Sequence, residues 1–245
     1  MHRFANPARF QRIATAVLLW LAAATAVLLA LGLFFALFDS PADYQQGESV
    51  RIMYIHVPAA WMALFVYSCI AAASAVALIW RHPLADIAAR AASPIGAGFT
   101  FIALASGSLW GKPMWGTWWV WDARLTSMLI LFFLYLGHIA LSRAFDDPVR
   151  GARAAAILAL AGFINVPIIK FSVDWWNTLH QPASILRLGG PSIDPSMLLP
   201  LFLMALGFTT FFVVVLLLRM KAELVAAKLR AAQLARLQPA AAVGR

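Results

Sequence analysis

The stretch Ile13–Phe38, IATAVLLWLAAATAVLLALGLFFALF, runs for 26 residues without a charge. A bilayer core is about 30 Å thick, and a helix crosses it with about 20 apolar residues. Comparable runs follow at Pro58–Trp80, Ala91–Trp110, Leu125–Ser142, Ala154–Val173 and Pro195–Leu218. The fifth contains Lys170 near its end, where a long aliphatic stem carries the ammonium back to the interface. None of these runs alternates with period two, as the strands of a membrane barrel do. The expectation is an all-α integral membrane protein with six transmembrane helices. A secretory signal has an apolar stretch of about 7–15 residues, so the first run reads as a retained span.

Composition agrees. Of 245 residues 63% are hydrophobic and 12% charged, against roughly 45–50% and 25% in soluble domains. A soluble globular enzyme, a disordered chain and a nucleic-acid binder are thereby excluded, and no enzymatic activity is expected. The one cysteine, Cys69, lies inside an apolar run, so neither a disulfide framework nor a thiolate zinc site is available. A covalent c-type haem is excluded by the absence of C-x-x-C-H.

Short loops rich in Lys and Arg face the cytoplasm. With the N-terminus inside, fourteen of the nineteen cations lie in inner segments, among them Arg9, Arg12, Arg81, Arg90, Arg143, Arg150, Arg153 and Lys221. The outer loops hold only Arg51, Lys112, Arg124, Lys170 and Arg187. Both termini are therefore expected to be cytoplasmic, with one six-helix domain over residues 1–218 and a basic tail over 219–245. The tail reads as a helical extension of the last span that ends near Pro239 and lies against lipid headgroups. Small residues four apart in the third span (Ala92, Gly96, Thr100 and Ala103, Gly107, Gly111) read as a helix-packing stripe. Asn165 and Pro167 predict a kink in the fifth.

In this topology eight of the ten tryptophans lie on the outer side, and five of them fall within WGKPMWGTWWVWD, Trp110–Asp122. An aromatic belt alone would populate both interfaces. Pro113 can open a helical turn, and Trp115, Trp118, Trp119 and Asp122 follow the i, i+3, i+4, i+7 spacing. A short interfacial helix on the outer face is expected here, serving equally well as a floating anchor or as an aromatic platform for a flat ligand. Asp122 could cap the fourth helix or pair with Arg124.

His56 precedes Pro58 at the outer entry of the second span, and His180 lies in the 21-residue loop Asp174–Asp194. Loops of that length are commonly functional. Two neutral imidazoles can ligate a metal from opposite sides. With no thiolates or clustered carboxylates beside them, bare zinc is poorly served. Haem asks the protein for axial ligands, an apolar wall and cations for its propionates. Tryptophan supplies the wall, and Lys112, Arg124, Arg51 and Arg187 are the candidate cations.

The run Trp110-Gly111-Lys112-Pro113-Met114-Trp115-Gly116, continuing Trp118-Trp119-Val120-Trp121-Asp122-Ala123-Arg124-Leu125-Thr126, resembles the signature of the WWD haem-handling proteins. Nearly the whole chain is similar to their short six-span branch, the cytochrome c maturation haem proteins of the CcmC type. The resemblance implies a multi-pass protein of the bacterial inner membrane that holds haem b non-covalently at the periplasmic face. It implies His56 and His180 as axial ligands of the haem iron. It also implies Trp110, Trp115, Trp118, Trp119, Trp121 and Asp122 as contacts for haem or for the haem chaperone CcmE. The partners implied are CcmE, the ABC transporter subunits CcmA and CcmB, and the small subunit CcmD. Two other readings are a haem-transporting permease subunit and a b-type membrane cytochrome. The first would need polar groups at the bilayer midplane, where only Asn165 with Pro167 stands out. The second would need histidine pairs within facing helices.

Overall fold

The computed structural model describes residues 6–181, 184–185 and 187–237. His2, Arg3, Pro239 and Arg245 lie outside them. Seven α-helices follow in order: α1 (Pro7–Phe34), α2 (Met53–Trp80), α3 (Pro83–Trp115), α4 (Ala123–Leu141), α5 (Pro148–Gly162), α6 (Asn165–Trp175) and α7 (Pro195–Leu237). One turn of π-helix (Phe35–Asp39) extends α1, and a 3₁₀ turn (Glu48–Ile52) leads into α2. Among the described residues six helical stretches are long and apolar enough to cross a membrane, with α5 and α6 forming one of them.

The helix starts follow local chemistry. Asn6, His82, Asp122 and Asp147 each accept backbone N–H bonds at an N-cap, and Pro7, Pro83 and Pro148 occupy the first turn, where no N–H partner is needed. The expected kink in the fifth span is a full interruption: α5 ends at Gly162, α6 begins at Asn165, and the Asn165 amide donates to the Ser127 carbonyl of α4 at 2.8 Å. The last span runs without a break into the basic tail as far as Leu237, as expected.

Helices α2 and α3 form the central pair. Helices α4 and α5 pack on one side, α7 packs on the other, and α1 lies outermost along α7. Lys221 of α7 donates to Thr15 of α1 at 2.8 Å, so both ends of the described chain share one end of the bundle. Large apolar side chains on the outer helices, such as Leu19, Trp20, Phe38 and Phe133, are exposed, as suits a lipid-facing surface.

The small-residue stripe of α3 does more than bring helices together. A Cβ on Gly96 would clash with the ring of Tyr135, a buried side chain whose Oη donates to the Ala63 carbonyl at 2.7 Å. The glycine thus lets α4 insert Tyr135 between α3 and α2. Gly96→Val is expected to destabilise the protein by about 1–3 kcal/mol through overpacking. Gly98→Val, where nothing lies within 4 Å of the added atom, should change little. Thermal unfolding in detergent micelles compares the two.

Candidate functional site

The end of the bundle opposite the termini carries the loops 40–47, 116–122 and 176–194. There α3 runs on through Pro113 to Trp115 and stops at Gly116, whose φ of 75° is left-handed and whose N–H bonds the Lys112 carbonyl at 3.1 Å. Residues 117–122 then run without helical structure to the N-cap of α4. The expected interfacial helix is therefore not formed. Pro113 sits inside the last turns of α3 and opens no new helix, and the left-handed glycine breaks the i, i+3, i+4 register between Trp115 and Trp118.

His56 stands in the first turn of α2 and faces α3. Its Nδ1 lies 3.1 Å from the Ser106 hydroxyl, and its ring meets Trp110 edge-on with centroids 5.6 Å apart. A Cβ on Gly107 would come within 2.9 Å of its Cε1, so the stripe read as packing alone also seats this histidine. The Trp110 indole is fixed from the other side, donating to Gln46 Oε1 at 3.0 Å. Gln46 is placed by a tight turn in which Asp43 accepts from the backbone of Gln45 and Gln46 and Gly47 takes a φ of 55°.

His180 arrives from the loop between α6 and α7. Its ring packs on Trp115 with centroids 4.9 Å apart, and its Nδ1 lies 3.3 Å from Asp122 Oδ2. The same carboxylate oxygen accepts a hydrogen bond from Thr178, while Oδ1 accepts the Leu125 N–H at 2.8 Å as the cap of α4. Asp122 therefore caps α4 and orients a histidine at once. Burial pushes the His180 imidazole below its ordinary value and Asp122 draws it only part-way back, so the ring stays neutral near pH 7. Burial raises the Asp122 carboxyl, but hydrogen bonds from Thr178, the Leu125 N–H and His180 outweigh it and hold the group ionised.

Trp110 and Trp115 are five residues apart on α3, about 7.5 Å along the axis. The two histidines that pack on them are thus gathered at one helix end. Neither Nε2 has a hydrogen-bond partner among the described residues, whereas both Nδ1 atoms do.

The other expected site residues are more scattered. Trp119 is edge-to-face with Trp121 at 5.4 Å, and its buried indole Nε1 has no acceptor among the described residues. Trp118 and Trp121 are exposed, and Lys112 sits 5.8 Å over the Trp118 ring. Arg124 makes no ion pair with Asp122. It donates to Ser172 Oγ and to the carbonyls of Ile169 and Lys170, which ties α4 to α6 and leaves Nη1 free among the described residues. Arg51 is held by Glu48 and the Ala36 carbonyl.

The family described as CcmC, Heme exporter protein C, matches residues 1–235. The chain belongs to the Heme exporter protein C family. It is 60% identical over 230 residues to Heme exporter protein C of Bradyrhizobium diazoefficiens, covering 94% of this chain and 87% of that protein. The protein of the same name from Escherichia coli is 50% identical over 221 residues, covering 90% and 89%. That of Paracoccus denitrificans is 42% identical over 222 residues, covering 90% and 92%.

Three residues of this site, Gln46, Ser106 and Thr178, carried no sequence expectation, and Gly107 was expected only in a packing stripe. Ser106 and Gly107 precede Trp110 by four and three residues, a spacing that puts them on its face of α3. Thr178 stands two before His180, the reach of a local hydroxyl bond. Gln46 gave no local signal.

The dual use of Asp122 makes a stability prediction. Asp122→Ala removes the α4 cap and is expected to cost about 0.5–2 kcal/mol. Asp122→Asn retains a capping oxygen and should recover most of that loss. Chemical unfolding of the haem-free protein, followed by circular dichroism, checks both.

Proposed function

We propose that this protein binds haem b non-covalently at the periplasmic face of a bacterial inner membrane and passes it to the chaperone CcmE during cytochrome c maturation. The observation that carries the reading is the state of the two histidines. Each has its Nδ1 engaged by a neighbour and its Nε2 without a hydrogen-bond partner among the described residues. That is how a metal-binding imidazole is prepared: a second group holds the far nitrogen, fixing tautomer and ring orientation. Among the described residues no cluster of three His, Cys, Asp or Glu side chains offers itself to a bare metal ion. A donor set of two neutral imidazoles beside indoles fits haem iron, whose other four ligands come with the macrocycle.

The site's shape supports transfer. His56 is held by transmembrane helices, and His180 by a loop at the surface. Both would bind iron through reversible coordinate bonds, and the chain has no thiol near them to make a permanent link. Trp110 and Trp115 back the two rings, and the exposed Trp118 and Trp121 offer apolar area to a flat ligand or to the chaperone. Lys112 beside Trp118, and the free Nη1 of Arg124, are available to propionates. The cation bias of the loops supports cytoplasmic termini and a periplasmic site. CcmA, CcmB and CcmD are the proposed membrane partners.

Full-length protein purified in detergent is expected to show the absorption spectrum of low-spin bis-histidine haem. Since loss of even an outer-shell partner costs about 10–100-fold in metal affinity, His56→Ala and His180→Ala should each lower haem occupancy by more than about tenfold. Wild-type haem content and spectrum in both variants would overturn the assignment. Transfer to purified CcmE, read by haem content after separation, tests the handover.

A further inference from the structure

The hydrogen-bond partners of the two imidazoles differ in kind. Ser106 has one hydroxyl proton, and its Oγ lies 2.6 Å from the Ile102 carbonyl one helical turn back. With that proton committed to a carbonyl, the oxygen faces His56 as an acceptor. His56 Nδ1 therefore carries the ring proton and donates it, leaving the lone pair on Nε2. Its one acceptor among the described residues is a neutral hydroxyl.

The acceptor for His180 is an anion. Asp122 Oδ2 faces Nδ1 at 3.3 Å and is itself locked in place by the Thr178 hydroxyl and, through Oδ1, by the start of α4. A carboxylate behind an imidazole raises its basicity as a ligand, and hydrogen bonds to charged acceptors are about twice as strong as neutral ones. The supports differ as well. His180 is tied to α4 through Asp122, whereas the His56 ring rests on Ser106 and Trp110 of α3.

From this asymmetry we infer that the two histidines would hold a haem iron unequally, His180 as the anchor and His56 as the ligand that would yield first to an incoming donor. Ser106 and Asp122 set the difference as positioning residues, acting through the histidines. The exchange is balanced: His56 leaves with its lone pair, the incoming donor brings one, and no electron or proton moves. The inference rests on the bis-histidine reading proposed above and deepens it by giving the order in which the site opens.

The test uses carbon monoxide as the incoming donor to full-length, haem-loaded, reduced protein. Photolysis of the CO complex leaves iron with its retained histidine, whose iron–nitrogen stretching frequency is read by resonance Raman spectroscopy. The expected result is a frequency that falls in Asp122→Asn and stays unchanged in Ser106→Ala. The rate of CO binding, limited by departure of the yielding histidine, should rise roughly 2- to 10-fold in Ser106→Ala, the worth of one neutral hydrogen bond. A frequency that responds to Ser106→Ala and ignores Asp122→Asn would reverse the order and overturn the inference. Equal responses to both substitutions would mean equivalent ligands and overturn it too. The bis-histidine reading itself fails separately, if the unliganded wild-type protein shows no low-spin spectrum that depends on both histidines.

Discussion

A backbone amide inside hydrocarbon has no water to bond with, so chain that crosses a bilayer must satisfy its polar groups within its own helix. Apart from the break at Phe163–Ile164, where Asn165 bonds the Ser127 carbonyl, this confines irregular backbone to the two ends of the bundle. A turn such as Asp43–Gly47, a left-handed Gly116 or a long loop such as 176–194 belongs only there. The chemistry that needs irregular backbone gathers at the same place. Because six spans return the chain to the side on which it began, one end holds the termini and two short connections, and the other holds the three larger loops.

Within the end that holds the larger loops, the C-terminal turns of α3 act as a post to which the rest is fastened. Ser106, Gly107 and Trp110 seat one histidine, and Trp115 backs the other. The extension of α3 past Pro113 matters for this reason. Had the helix stopped near Trp110, Trp115 would have no rigid tie to the groups around His56. Beyond Gly116 the chain is free of helical register, and Asp122 can face both the N-terminus of α4 and the loop that carries His180.

Much of this was legible in the residue order. Apolar run length located every span to within about a turn or two at most ends, and Asn165 with Pro167 marked the interruption of the fifth. His56, His180 and Asp122 were singled out by type and topology, and the structure gathers them at one helix end. The interfacial helix failed because the spacing of Trp115, Trp118, Trp119 and Asp122 was read across Gly116, where a left-handed residue resets the phase. Gly107 was filed under packing because a small residue looks alike whether a helix or a side chain fills the space before it. Gln46 reaches Trp110 across 64 residues of chain, and no local pattern encodes a contact that only tertiary folding creates.

The gap at Phe163–Ile164 has its own effect on mechanics. A continuous span passes an axial push from one leaflet to the other through its ladder of hydrogen bonds, whereas here the ladder is cut between α5 and α6. Helix α6 is instead moored sideways, by Asn165 to the Ser127 carbonyl and by Arg124 to the Ile169 and Lys170 carbonyls and Ser172. The half of this span that leads to His180 is thus steadied by α4, and the loop bearing His180 takes its bearings from Asp122 at the top of α4 and Trp115 at the end of α3.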